Sequence, residues 1–126
     1  MKPRESALRL RRFEAAEKAR KVADLEATIR EFETMVSDLD RQIASEEERT
    51  GVRDLSHFAY STFAKAAAQR RNNLKTSIDD LRVKLEAATQ ECSEAADNLV
   101  KAEAGDDSDT PRTRRRSERG SGVMMG

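Results

Sequence analysis

One strict repeat limits what this chain can become. Val22, Leu25, Ile29, Phe32, Val36, Leu39 and Ile43 follow one another at intervals of 3, 4, 3, 4, 3 and 4. A 3.5-residue apolar period keeps one stripe of an α-helix facing a partner helix, which is the seam of a coiled coil. With Val22 at position a of the heptad, the d positions are Leu25, Phe32 and Leu39. Asp24, Glu26, Arg30, Glu31, Glu33 and Asp40 lie between the seam residues and suit a solvated face. Backward, Ala15 and Leu8 continue the a series while Lys18 and Arg11 occupy d, so the seam weakens toward the N-terminus.

A second repeat runs through Leu74, Ile78, Leu81, Leu85, Ala88, Cys92, Ala95, Leu99 and Ala102, and backward through Arg71, Ala67, Ala64 and Tyr60. Between the two repeats stands Gly51, the residue type that most readily ends a helix with a positive φ. Two heptad helices of similar length around a short Gly-containing link predict an all-α fold, a two-helix antiparallel coiled-coil hairpin. The helices are expected over about 5–49 and 57–103, each arm on the order of 65 Å long. The hairpin domain then covers residues 1–104. Ala88, Cys92, Ala95 and Ala102 are small enough for close approach opposite Ala15 and Leu8. The start of the second helix stays open, because Asp54, Ser56 and Ser61 are all suitable N-caps. Glu46, Glu47 and Glu48 oppose the dipole at the end of the first helix, so fraying is expected there. From Gly105 the periodicity ends, and residues 105–126, with five arginines and one glutamate between Arg112 and Arg119, are expected to be a disordered Arg-rich tail.

Composition agrees. Charged residues make up 38% of the 126 and aromatics 4%, with no Trp. Ala, Glu, Lys, Leu and Arg supply about half of the chain, a proportion typical of long helices and coiled coils. So few large apolar residues leave no thick core and no deep catalytic cleft. Lys plus Arg equals Asp plus Glu at 24 each, which gives no net field toward nucleic acid or membrane. The Arg-rich tail alone could contact phosphates, but it lacks interleaved aromatics. The single Cys92 fits a reducing compartment. No run approaches the roughly 20 apolar residues of a membrane span, and the N-terminus is followed by arginines instead of a signal-peptide core. A cytoplasmic location is expected.

Nothing in the sequence assembles a catalytic or metal-binding constellation, so neither enzymatic activity nor a cofactor is expected. His57 has no sequence-evident partner for acid–base work. Cys92, among alanines at an a position, suits a small core residue. Arg71 at an a position either fixes the register or, with Arg70, faces a partner. Leu10 and Phe13 fall at c and f, on the outer side of the first helix. Phe58 and Phe63 fall at b and g, off the seam of the second. Apolar pairs at such places either cap the hairpin or form a contact surface. The basic N-terminal arm, with Lys2, Arg4, Arg9, Arg11, Arg12, Lys18, Arg20 and Lys21 against Glu5, Glu14 and Glu17, suits docking to an acidic surface or simple solvation.

Leu8-Arg9-Leu10-Arg11-Arg12-Phe13 is similar to the basic-apolar opening of the FliJ family, small coiled-coil components of the bacterial flagellar type III export apparatus. The two long heptad helices resemble that family's hairpin. His57-Phe58-Ala59-Tyr60-Ser61-Thr62-Phe63 and the residues through Leu74 resemble the start of helix two in its alphaproteobacterial members. The likeness covers about residues 5–103; the short helices and Arg-rich tail depart from longer members. It implies a non-enzymatic cytoplasmic stalk or linker in flagellum biogenesis, at the basal body by the inner membrane. Its partners would be the export ATPase ring, the export gate protein and export chaperones. By the same resemblance Leu10, Arg11 and Phe13 would face the ATPase, and Phe58, Phe63, Arg70 and Arg71 the gate, in a protein that is monomeric when free. The competing expectation is a scaffold in which two chains pair through their heptads as a parallel homodimer.

Overall fold

The computed structural model describes residues 3–108. It is all-α: helix α1 spans Pro3–Thr50 and helix α2 spans Thr62–Ser108, packed against each other as an antiparallel hairpin. Pro3 opens α1, where its missing N–H costs nothing and its fixed φ suits the first turn. The described residues fall into two compact units, 23–87, which includes the connector, and 3–22 with 88–108.

In the 23–87 unit every seam residue of the two repeats is buried or half-buried. Leu39 and Ile43 of α1 meet Ala64 and Ala67 of α2 and Tyr60 of the connector, with Val52, Ala68 and Leu74 packed around them. Ala64 is wholly inaccessible, so even this small side chain is fully covered by its neighbours. Ile29 and Ile78 continue the buried stripe. Arg71 lies in this seam, and its Nη1 donates to Asp40 Oδ1 at 3.0 Å. Arg82, at an e position, pairs with Glu33, also at e, across the helices at 2.7 Å. Facing e residues are the mark of antiparallel pairing; in a parallel pair e faces g.

The other unit keeps the same register with smaller residues. Ala88 is its buried apolar residue, while Leu8, Ala15, Val22, Cys92, Ala95, Leu99 and Ala102 are half-buried. Lys18 Nζ donates to Glu91 Oε1 at 3.0 Å, Lys21 stands 4.0 Å from the same oxygen, and Arg12 lies 3.9 Å from Glu103. Arg12 with Glu103 is an e–e pair and Lys21 with Glu91 a g–g pair, the antiparallel pattern again.

Three expectations need correction. The second helix begins at Thr62, not near residue 57. Of the three candidate caps Ser61 is the one used: its Oγ accepts from the Ala64 N–H at 3.1 Å. Asp54 and Ser56 shape the connector instead. The first helix does not fray at its glutamates. Glu46 and Glu47 are held by Arg49, Tyr60 and Ser61, which offset the unfavourable dipole term. Helix α1 therefore runs to Thr50, and Gly51, at φ 74°, donates its N–H to the Glu47 carbonyl at 2.8 Å. Finally, α2 does not stop before Gly105 but continues to Ser108. Gly105 lacks the positive φ that would turn the chain out of the helix, and mid-helix glycine costs only about 1 kcal/mol. The expected disorder of the rest of the tail falls on residues 109–126, outside those described.

Candidate functional site

The connector is built from short-range bonds. Asp54 Oδ1 accepts from the Ser56 N–H at 3.0 Å and from its Oγ at 2.8 Å, and the first of these chiefly holds the carboxyl below the usual aspartate range. The Asp54 carbonyl accepts from the His57 N–H, and the His57 carbonyl from the Tyr60 N–H, both at 3.0 Å. His57 Nδ1 accepts from the Ala59 N–H at 2.9 Å, which leaves the ring proton of a neutral imidazole on Nε2. These bonds make two successive tight turns, and they push Phe58 outward until it is 95% exposed. Its ring stacks on His57 with centroids 4.7 Å apart and planes 22° from parallel. Leu55, also exposed, adds a second apolar side chain to this end.

Behind the exposed ring lies a polar clasp. Tyr60 Oη donates to Glu47 Oε2 at 2.7 Å, and Ser61 Oγ donates to Glu46 Oε2 at 2.7 Å. Arg49 Nε and Nη2 grip the same Glu46 carboxylate at 3.0 and 2.6 Å. The two-pronged Arg49 contact first, and Ser61 second, lower the Glu46 pKa from its ordinary 4.5 to about 2. The Tyr60 phenol is raised, by its bond to Glu47 and then by burial.

Of the gate-side residues expected from sequence, Phe58 projects from the connector and Phe63 from the first turn of α2, 57% exposed. Phe63 walls an open groove of about 430 Å³ with Asp38, Arg41, Gln42, Ser45 and Glu46. Arg70 is exposed. Arg71 is drawn into the seam by Asp40, with its remaining donors on the Asn72 side chain, so its guanidinium is engaged within the hairpin. At the other end, Leu10 and Phe13 are 54% and 60% exposed, on the outer side of α1 as their heptad positions require. Arg11 Nη1 donates to Glu14 at 3.3 Å, both side chains being open to solvent.

The bonding role of Glu46 and Glu47 and the exposure of Leu55 went unread in the sequence. The glutamates looked like a dipole defect because their partners, Tyr60 and Ser61, lie 13 and 15 positions away. Leu55 sits outside both repeats, so only the turn geometry reveals its exposure. Among the described residues there is no cluster of His, Cys, Asp and Glu able to hold a metal ion, and no helix long and apolar enough to cross a membrane. No protein-family model, curated protein or solved structure matches the chain.

Proposed function

We propose that this chain is a non-enzymatic coiled-coil component of the flagellar type III export apparatus, a stalk or linker between the export ATPase ring and the export gate that also aids export chaperones. The observation that carries the reading is the placement of the apolar side chains left over from the seam. Leu10 and Phe13 stand on the outer side of the basic opening of α1, and Phe58 and Phe63 stand at the connector and the start of α2. These are also the two stretches that resemble the FliJ family. A hairpin whose seam is satisfied within one chain has its outer residues free for partners, as a linker requires. Arg11 joins Leu10 and Phe13 on the ATPase side, and Arg70 joins the gate side, with Arg71 acting there through the register it fixes.

Mixing the full chain with the export ATPase of the same organism tests the proposal. Stimulated ring assembly and ATP turnover are expected, and the Leu10→Ala/Phe13→Ala variant should lose both while keeping its helicity. Absence of binding would reduce the resemblance to shared composition. The two-helix closure speaks against the alternative scaffold, because a parallel homodimer would need the same a and d residues that α1 and α2 already bury against each other.

A further inference from the structure

The two units of the hairpin are held by different forces. Residues 23–87 contain seven of the buried apolar residues: Ile29, Leu39, Ile43, Tyr60, Ala64, Ala67 and Ile78. The unit formed by 3–22 with 88–108 contains one among the described residues, Ala88. Its seam carries Arg11 and Lys18 at d positions and Ala15, Ala88, Ala95 and Ala102 among its apolar residues, and Leu8, Val22, Cys92 and Leu99 are only half-buried, so less apolar area leaves water there.

Charge replaces it. Residues 3–22 of α1 hold seven basic and three acidic side chains, and residues 88–105 of α2 hold one basic and four acidic. In the 23–87 unit the signs reverse. Residues 23–50 of α1 hold nine acids against three bases, and residues 62–87 of α2 hold six bases against three acids. The ion pairs obey this division. Arg12, Lys18 and Lys21 give the base from α1 to Glu103 and Glu91 of α2, whereas Arg71 and Arg82 give it from α2 to Asp40 and Glu33 of α1. Glu91 is the centre of the first set: Lys18, with Lys21 beyond it, lowers its pKa. All three pairs of that set are substantially exposed. Such pairs contribute roughly 0–1 kcal/mol each and weaken with salt.

We propose that the paired segments 3–22 and 88–108 form an electrostatic clasp that opens as ionic strength rises while the 23–87 unit stays closed. The device goes beyond the export reading and does not depend on it. Opening strands two helical segments of about 20 residues, and segments that short are marginal alone in water. Their backbone amides then exchange with solvent.

Amide hydrogen exchange on the full chain, at about 50 mM and about 500 mM NaCl, tests this across the range in which screening becomes strong. The expected result is a loss of protection of about tenfold in 3–22 and 88–108, from three weak pairs released together, with less than about twofold change in the core of 23–87. The Glu91→Lys variant should show the open pattern already at low salt, and Lys18→Glu/Lys21→Glu/Glu91→Lys should restore the closed one. If Glu91→Lys proves too disruptive to fold, Glu91→Gln should still lose most of the salt response. Equal salt response in both units, no response in the clasp, or a wild-type response in Glu91→Gln overturns the proposal.

Discussion

Glu46 shows how one side chain can reverse the reading of a whole helix end. Its carboxylate faces a helix C-terminus, where negative charge is unfavourable, yet Arg49 and Ser61 lower its pKa to about 2. The sign of the pH effect follows. A carboxyl more acidic when folded adds stability at pH values above its ordinary 4.5, and loses it as pH falls toward about 2. The difference in melting temperature between the wild-type chain and Glu46→Gln should therefore be largest above pH 5 and shrink through that window. A difference independent of pH would show that Glu46 acts through packing alone. Ser61 gives a second test at this scale. Ser61→Ala removes both the cap on the Ala64 N–H and the bond to Glu46, and should cost about 1 kcal/mol or somewhat more in urea denaturation. The same change at Ser56, whose side chain serves only the Asp54 turn, should cost less. Ser61 was one of three plausible caps in the sequence. Its bond to the Ala64 N–H marks it as the cap, and its second bond, to the Glu46 carboxylate 15 positions away, is a tertiary contact that no local pattern holds.

At the scale of the element, both helices were legible because their apolar periods are long and nearly unbroken. Their ends were less so. Gly51 is the end the sequence marked correctly, since its φ of 74° is a conformation other residues adopt at a cost. Gly51→Ala meets no neighbouring atom, so the expected loss of about 1 kcal/mol is backbone strain alone, measured by thermal melting. The periodicity ends from Gly105, with the helix expected to stop near residue 103, yet α2 continues through Gly105 to Ser108. A glycine terminates a helix only where the chain takes the left-handed turn, and here it does not. Within the 23–87 unit the apolar stripe carries the stability. Leu39→Ala should cost about 2–5 kcal/mol by cavity formation at a buried site, against a much smaller loss for Val83→Ala on the exposed side of α2. Equal losses would mean that the heptad register is misplaced.

For the molecule as a whole, the antiparallel pairing is written twice, in the apolar seam and in the charge blocks along each helix. A parallel homodimer would set the basic 3–22 segment against its own copy, and like charges so placed repel. Sedimentation in dilute solution should accordingly give a monomer at all concentrations; a stable dimer would count against intrachain closure. The sequence by itself determined the two helices, their partner-facing stripe and the residues left outside it, because heptad spacing fixes which side chains share a helix face before any partner is present. Tertiary structure decided what the period leaves blank: which serine begins α2, what holds Glu46 and Glu47 at the end of α1, that Arg71 spends its charge on Asp40, and that Phe58 stands in solvent. Each of those outcomes depends on groups brought together by chain reversal, and a local pattern holds no record of distances across a turn.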